Sequence, residues 1–370
     1  MTKWAGTKII VAVAFLCTVA AALIYVLSPT VSYVRGEADA STTISTIPDK
    51  VVPPPLDTVA YDKKMLEIAN YGTTTLAVAS STGSTGSPQT ATSTAPRHPW
   101  PVKAPYPKAG AILPFNRIVA YYGNFLSKGM GVLGQYPEDV MLAKLQTEVE
   151  KWQAADPTTP VVPAIHYIVV TAQGSPQSDG TYRLRMPDSQ VDHALEIAKK
   201  INGIVFLDFQ VGKSTVQKEL PQYEQYLSLP NVHVGVDPEF SMKGKYPPGK
   251  EIGTLDAVDI NWVANYLAGL VQEHDLPPKI LMVHRFTEDM VTHTRQIAPL
   301  PEVQIIVDMD GWGDKAKKLG TYTNVVAAEP VQFTGFKLFY KNDLLPPSTG
   351  IFTPAELMKL TPRPAYIQYQ

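Results

Sequence analysis

Residues 231–240 read NVHVGVDPEF, and the order of apolar and polar side chains in this stretch decides the fold prediction. Val232, Val234 and Val236 lie on one face of a β-strand, because successive strand side chains point to opposite faces. The other face carries His233, Gly235, Asp237 and Glu239. Such a strand packs its valines against neighbouring elements and directs its acids to the opposite side of the sheet.

Seven other segments read as strands, and helical patterns lie between most of them. The strand segments span 117–124, 161–170, 203–210, 279–286, 303–310, 333–340 and 365–370. The helical patterns span 137–153, 189–201, 255–274 and 353–360. This alternation predicts parallel strands joined by right-handed crossovers. Eight such units in about 250 residues predict a (β/α)8 barrel of the TIM type, with a doubly wound open sheet as the alternative.

The N-terminal region predicts export or membrane anchoring. Residues 9–27 are uncharged and mostly apolar, and Lys3 and Lys8 precede them. A run of about 20 apolar residues spans a bilayer, and basic residues before it favour a cytoplasmic N-terminus. We therefore expect residues 1–28 to form a single-pass anchor in the cell membrane, with the C-terminal domain extracytoplasmic. A cleaved signal peptide, using the small residues at 20–22, is the alternative and would give a secreted protein.

The composition changes after this segment. Residues 29–110 are rich in Ser, Thr, Gly and Pro, which predicts a flexible linker, since such a segment buries too little apolar surface to offset its ordering entropy. Within it, residues 61–71 predict a short helix. The side chains expected to dock this helix are Met65, Leu66 and Ile68. The barrel domain then takes up residues 111–370.

Charge and motifs exclude several classes of protein. The 370 residues carry a formal net charge of −2, which argues against nucleic acid as the main partner. Cys17 is the single cysteine, so no intramolecular disulfide forms and no barrel residue is a thiol nucleophile. No phosphate-binding loop, G-x-S-x-G elbow or H-E-x-x-H motif occurs. We expect no cofactor and no metal, although tertiary placement of the histidines and aspartates leaves a metal-dependent hydrolase as an alternative.

Polar side chains converge where the predicted strands end. In a barrel the apolar strand face packs outward on the helices, and the inward face opens into the site at the C-terminal end. The same alternation turns the following residues inward: Tyr122, Asn124, His166, Asp208, Gln210, His284, Asp308, Asp310 and Lys337. The last strand contributes Gln368 and Gln370, or alternatively Tyr366. Together with Asp237 and Glu239, these residues predict a ligand-binding or catalytic site.

Pro238 and the tryptophans refine this site. Proline disfavours a helical conformation at Asp237, so we expect the strand to continue and both Asp237 and Glu239 to face the barrel mouth. Trp312 lies in the loop-like sequence DGWGD and is a candidate platform for stacking a sugar ring. Trp152 and Trp262 recur at helical spacing, which favours a packing role for both.

Several carboxylates at one barrel mouth suit glycoside hydrolysis. One acid has to protonate the departing oxygen, and neighbouring charges tune its pKa or stabilise the developing cation. The D-x-E sequence of Asp237 and Glu239 resembles the strand-four ending of the chitinase-like barrel family, and is similar to the acid pair of barrel-type muramidases. That resemblance implies that Glu239 is the general acid and that Asp237 orients an N-acetyl group or tunes Glu239.

Other segments extend the resemblance. VDMDGWG at 307–313 resembles the strand-six region of the chitinases, which implies that Asp310 takes the role of their aspartate. The domain as a whole resembles an uncharacterised group of exported bacterial barrel domains. The segments that carry this likeness are YYGN, GMGVLG, DPEFSMK, MVHRFT and GFKLFY.

Two hypotheses follow. In the first, the protein is a membrane-tethered, extracytoplasmic glycoside hydrolase whose partner is a glycan, such as an N-acetylated cell-wall polysaccharide. Its catalytic residues are Glu239, Asp237, Asp208 and Asp310. In the second, the barrel is a non-catalytic glycan-binding or scaffold protein of the cell envelope that keeps the pocket without turnover.

Overall fold

The computed structural model describes residues 53–71 and 99–370. The predicted anchor at 1–28, including Cys17, lies outside the described residues, as does most of the predicted linker. Among the residues that are described, no helix combines the length and the apolar character that crossing a membrane requires.

Eight parallel strands form a closed barrel. They are β1 (Arg117–Asn124), β2 (Val161–Ala172), β3 (Ile204–Phe209), β4 (Val232–Val236), β5 (Lys279–Arg285), β6 (Val303–Met309), β7 (Phe333–Leu338) and β8 (Tyr366–Tyr369). Each strand pairs in parallel with the next, and β8 returns to β1, with Ile118 opposite Tyr366. The predicted TIM-type barrel is therefore confirmed, and the open doubly wound sheet is excluded.

The helices are of unequal length; the first precedes the barrel and the others lie between its strands. They are α1 (Thr58–Ala69), α2 (Glu138–Ala155), α3 (Asp188–Lys200), α4 (Val216–Glu219), α5 (Glu224–Leu227), α6 (Ala257–Glu273), α7 (Lys315–Thr321) and α8 (Pro354–Leu357). A π-helical turn, Tyr322–Val326, continues α7. Short 3₁₀ turns span Val132–Gly134, Leu220–Tyr223, Pro238–Phe240, Glu288–Met290, Thr294–Gln296 and Asn342–Leu344. Several connections between strands therefore contain short turns instead of a long helix, and their irregular backbone contributes to the barrel mouth.

Four short strands lie outside the barrel. Ser127–Gly131 pairs antiparallel with the end of β1, and Arg183–Arg185 pairs antiparallel with the end of β2. Leu255–Asp256 and Val291–Thr292 form a separate parallel pair. The first two extend the barrel wall beyond its C-terminal edge, so they deepen one side of the mouth.

The core has the two layers that the strand alternation predicts. Val232, Val234 and Val236 of β4 pack in the outer layer, between the strands and the surrounding helices. The inner layer fills the barrel near the start of the strands, where Phe206 and Tyr366 are fully buried. Side chains of one strand therefore divide between the two layers, as in other TIM-type barrels.

Helix α1 packs against the inner layer at the N-terminal end of the barrel. Tyr61 and Met65 belong to the same buried cluster as Ile118 and Phe206. The Arg363 main-chain N–H donates to the Ile68 carbonyl at 2.8 Å. The helix thus closes the end of the barrel opposite the mouth.

The predicted helix differs from the observed one in two details. It begins at Thr58 rather than residue 61, because the Asp57 side chain accepts from the Ala60 N–H at 2.9 Å and caps the first turn. Leu66 is 42% exposed, so its predicted docking role is wrong, and Tyr61 takes that place. Ile68, also expected to dock, does pack against the inner cluster.

Candidate functional site

A cleft of about 660 Å³ opens at the C-terminal mouth of the barrel. Among the residues predicted for the site, those lining this cleft are Tyr122, Gln210, Asp237, Glu239, Asp310, Trp312 and Lys337. Six other predicted residues do not line it: Asn124, His166, Asp208, His284, Asp308 and Gln368. The strand alternation therefore selects the correct face of the barrel, and depth along the axis separates the two groups.

The two acids of the DPE segment reach the cleft by a turn. Asp237 is extended, with φ −112° and ψ 97°, but Pro238–Phe240 forms a 3₁₀ turn immediately after it. The Asp237 Oδ1 accepts from the Glu239 main-chain N–H at 3.0 Å and stabilises this turn. The predicted continuation of the strand through Glu239 is therefore wrong, because the fixed φ of Pro238 suits the first position of a helical turn.

Glu239 is the uncompensated acid of the cleft. Its side chain is partly exposed, and within the described part of the chain its carboxyl group has no hydrogen bond or ion pair. Burial, followed by the negative charge of Asp310, raises the pKa of Glu239 to about 6. The group can therefore hold a proton up to about pH 6, well above an ordinary glutamate, and donate it to a molecule in the cleft.

Asp310 has the opposite surroundings. Its Oδ1 lies 2.8 Å from the Lys337 Nζ, and its Oδ2 lies 3.0 Å from the His284 Nδ1. Burial alone raises the pKa of Asp310, but the charges of Lys337 and His284 outweigh it and lower that pKa below the ordinary value. Asp310 is therefore ionised at neutral pH, whereas Glu239, two strands away around the barrel, is protonated below about pH 6.

Asp237 is the more deeply buried member of the DPE pair. Its Oδ2 accepts from the Gln210 Nε2 at 3.4 Å. Burial raises the pKa of Asp237 well above its usual range, and the charges of Glu239 and Asp310 add to this effect, while His284 opposes it. Both oxygens already accept from N–H groups, so Asp237 is less free than Glu239 to pass a proton to a ligand.

Asp208 lies below the cleft floor, and its carboxylate contacts three neighbouring side chains. Its Oδ1 lies 3.2 Å from the Nε2 atoms of both His166 and His284. Its Oδ2 accepts from the Tyr122 hydroxyl at 3.1 Å. Because Asp208 is fully buried, it cannot touch a ligand in the cleft, and its predicted catalytic role becomes one of positioning.

The two histidines around Asp208 differ in charge. Burial lowers the pKa of His166 to about 4, so this ring is neutral. Burial also disfavours a charged His284, but the carboxylates of Asp310 and Asp208 outweigh it and raise its pKa well above the usual value. The positively charged His284 ring therefore lies between two carboxylates and contacts both the ionised Asp310 and the buried Asp208.

A second hydrogen-bonded layer lies deeper in the barrel. The His166 Nε2 faces the acceptor Asp208, so its Nδ1 accepts from the Tyr366 hydroxyl, 2.6 Å away. The Gln368 Nε2 donates to the same hydroxyl at 2.8 Å. Tyr366 and Gln368, which the sequence offers as alternatives, both face the interior, and Gln370 reaches the cleft itself.

Two glycines make room for the buried aspartates. A Cβ atom at Gly335 would lie 2.4 Å from the Asp308 Oδ1, and one at Gly235 would lie 2.4 Å from the Asp208 Oδ1. Asp308 has no hydrogen-bond partner within the described residues, and burial, followed by the charge of Asp310, raises its pKa to about 7. Asp308 is therefore a buried acid beneath the cleft rather than a ligand contact.

Asn124 lies outside the cleft and binds main-chain groups near the barrel mouth. Its Nδ2 donates to the Ile168 carbonyl at 3.0 Å, and its Oδ1 accepts from the Leu126 N–H at 2.9 Å. These main-chain contacts satisfy the side chain at both ends. Asn124 therefore shapes the loop after β1, and its predicted substrate contact is not what this geometry provides.

The tryptophans separate as their spacing predicts. Trp312 lies at the cleft rim with 48% of its surface exposed, and the Lys317 Nζ lies 4.8 Å from the centre of its ring. Trp152 is fully buried in the outer core, and Trp262 stacks on Tyr266. Lys317 cannot be predicted from the sequence, because DKAKKLG has the pattern of an ordinary helix start and does not indicate which lysine faces the mouth.

Among the described residues, two groups of side chains have the spacing of metal ligands. The potential ligand atoms of Asp237, His284 and Asp310 lie within 4.8 Å of one another, as do those of His166 and Asp208 with His284. In the first group the Lys337 ammonium already compensates Asp310 at 2.8 Å. Lys337 contacts Oδ1 of Asp310 and His284 contacts Oδ2, so both oxygens of this carboxylate already face a positively charged neighbour.

Comparison with known proteins gives likenesses in fold only. No protein-family model matches the chain, and no curated protein matches it. Dihydropteroate synthase from Burkholderia cenocepacia is 12% identical over 69% of this chain and 85% of its own, with a TM-score of 0.32. The GH5-4 endoglucanase from Clostridium longisporum is 11% identical over 61% of this chain and 75% of its own, with a TM-score of 0.30.

A third solved structure is GH26C from a Muricauda species, which is 11% identical over 68% of this chain and 70% of its own, with a TM-score of 0.27. The chain thus has barrel-type glycoside hydrolases among its structural neighbours, alongside a synthase of unrelated activity. One barrel fold supports many reactions, so these likenesses imply no activity for this chain. The fold assignment rests on the strand pairing described above.

Proposed function

We propose that this protein hydrolyses a glycosidic bond in the cleft, with Glu239 as the general acid. One observation carries the proposal: the pKa values of two carboxyl groups in one cleft are shifted in opposite directions by their neighbours. Glu239 has a pKa raised to about 6, whereas Lys337 and His284 keep Asp310 ionised. A proton-holding acid beside an ionised carboxylate is the arrangement that glycoside hydrolysis uses.

The reaction follows from these charge states. Glu239 donates its proton to the departing glycosidic oxygen, and Asp310 stabilises the positive charge that develops at the anomeric carbon. The hydroxide portion of a water molecule adds to that carbon, and the remaining proton of the water returns to Glu239. Asp208 and His284 act from below the floor, because they hold Tyr122 and Asp310 in place.

The rim of the cleft supports a glycan as the substrate. Trp312 offers an exposed ring at the mouth, and Tyr122 and Phe240 lie deeper along the same cleft. The C–H faces of sugars pack on such rings, while the polar groups of the floor can bind hydroxyl or N-acetyl substituents. We further propose an N-acetylated polysaccharide of the cell wall as the substrate, and an extracytoplasmic location set by the predicted N-terminal segment.

The Glu239→Gln variant tests the proposal. We expect its turnover of peptide-free cell-wall glycan strands to fall about 10²- to 10⁴-fold, because the amide cannot donate the proton. Released reducing ends are the measurement. Glu251→Gln is the matched control, since Glu251 is an exposed acid of the loop that follows the same turn and does not line the cleft.

The outcome also separates the hydrolase from a glycan-binding barrel. Wild-type protein that binds the strands without releasing any reducing ends would favour the non-catalytic alternative. Wild-type turnover that survives in Glu239→Gln would instead remove Glu239 from the acid role.

A further inference from the structure

Acidic and basic side chains occupy different parts of the barrel mouth. The acids Asp237, Glu239 and Asp310 lie along the floor of the cleft, close to the strand ends. Lysines that have no carboxylate partner among the described residues lie on its flanks instead. This arrangement determines which parts of a bound ligand can carry negative charge.

Lys317 occupies one flank. It lines the cleft, its ammonium lies 4.8 Å from the centre of the Trp312 ring, and no acidic side chain of the described residues pairs with it. The ammonium covers one face of the Trp312 ring, so a sugar unit bound at the rim beside Trp312 would lie near this charge. An anionic substituent there gains an ion pair that a neutral one lacks.

A small side pocket of about 100 Å³ adjoins the cleft at the loops after β1 and β7. It shares Gly129, Phe339 and Gln370 with the main cleft, so the two are continuous. Lys128 and Lys341 line it, and both are exposed. No Asp or Glu side chain from the described ranges lines this pocket, which leaves both ammonium groups available to a ligand.

We propose that the cleft binds a glycan whose sugar units flanking the reacting bond carry anionic groups. Negative charge at the floor would be repelled by the ionised Asp310, so the reacting linkage itself is uncharged. Negative charge on either side would face Lys317, or Lys128 and Lys341. The inference relies on the proposed function only for the identity of the ligand as a glycan, because the charge pattern concerns binding.

Binding to two matched glycans tests the inference. The probes are peptide-free strands of alternating N-acetylglucosamine and N-acetylmuramic acid, and the same strands with their lactyl carboxylates converted to methylamides. Affinity is measured by calorimetry at low salt with the full chain carrying Glu239→Gln, so that any turnover does not disturb the equilibrium. We expect the anionic strands to bind about three- to tenfold more tightly, since exposed ion pairs of this kind contribute modestly.

Lysine variants test which ammonium groups cause the preference for anionic strands. Adding either Lys128→Gln with Lys341→Gln, or Lys317→Gln, should reduce the preference for the anionic strands in part, and all three substitutions together should reduce it to about onefold. Lys199→Gln with Lys359→Gln is the matched control, because it removes the same charge from two exposed lysines that line neither the cleft nor the side pocket. The control should keep the full preference.

Each result has a definite meaning. Equal affinity for the two strands, a preference that survives the removal of all three lysines, or no binding of either strand would overturn the inference. Failure of the hydrolase proposal reads differently, because wild-type protein would then release no reducing ends while the preference for anionic strands persisted.

Discussion

Glu239 and Asp310 show how neighbouring groups give two carboxyl groups of one cleft different protonation states. Asp310 has Lys337 and His284 within 3.0 Å, so its ionised form is stabilised despite burial. Glu239 has no such partner among the described residues and also faces the charge of Asp310. Removing charge compensation from Asp310 would therefore also affect Glu239.

The pH dependence of turnover follows from these two groups. Glu239 must be protonated, so activity should fall as the pH rises through its pKa of about 6. Asp310 must be ionised, and its pKa is lowered, so activity should fall on the acid side only below the ordinary aspartate value of about 4. A profile of kcat/KM against pH, measured on cell-wall glycan strands, is the test.

The expected profile is a bell whose basic limb lies near pH 6. Glu251→Gln should leave both limbs in place, because Glu251 does not line the cleft. Activity that rises between pH 6 and pH 8 would contradict the assignment of Glu239 as a proton donor.

Strand alternation predicts which side chains face inward, but it cannot predict how deep they lie. Asp208 and Asp310 are both correctly predicted on the inner face, yet only Asp310 reaches the cleft. Depth depends on the stagger of the strands around the barrel, which pairs Asp308 with His284 and Ile118 with Tyr366. That stagger is a property of the closed sheet and is not encoded in any single strand.

At the scale of the elements, β4 and β7 are shaped by the aspartates of their neighbours. Gly235 of β4 lies beside Asp208 of β3, and Gly335 of β7 lies beside Asp308 of β6. Glycine usually weakens a strand because it has no side chain to pack. Here the missing side chains leave the space in which the buried carboxyl groups lie.

Gly335→Ala should therefore destabilise the barrel. The added Cβ would lie 2.4 Å from the Asp308 Oδ1 and 3.0 Å from the Tyr366 ring, so buried groups would have to move. We expect a loss of about 1–3 kcal/mol in the free energy of unfolding, measured by urea denaturation.

Gly269→Ala is the matched control for this substitution. Gly269 lies within α6, and its Cβ would meet no atom within 4 Å. Alanine should stabilise that helix by up to about 1 kcal/mol. Unchanged or increased stability in Gly335→Ala would show that the interior has more space than the distances to Asp308 and Tyr366 imply.

Element boundaries are predicted less well than element types. The valine face of β4 identifies the strand, but the exit at Pro238 is a turn that the rule on residues preceding proline does not reveal. The start of α1 depends on one hydrogen bond from the Asp57 side chain, and DTVAYDKK contains several other plausible starts. Local geometry of this kind depends on contacts that a pattern of apolar residues does not specify.

At the scale of the whole molecule, described residues that precede the predicted boundary at residue 111 pack against the barrel. Residues 53–71 supply α1, whose Tyr61 and Met65 fill the closed end of the barrel. Trp100 is buried, and its Nε1 donates to the Ala327 carbonyl at 2.8 Å. The Ser/Thr/Pro-rich composition of 29–110 conceals these segments, because a few large apolar side chains suffice to dock a short stretch.

Truncation distinguishes the two boundaries. A chain of residues 53–370 keeps Tyr61, Met65 and Trp100, so its unfolding temperature should match that of the full chain. A chain of residues 111–370 loses these buried side chains, which contribute about 1.5–3 kcal/mol each when fully buried. It should unfold at least 10 °C lower or fail to fold, because a loss of several kcal/mol is a large part of the stability of a domain. Equal unfolding temperatures for the two truncated chains would instead support the boundary at 111. They would also show that the barrel does not need α1 for its stability.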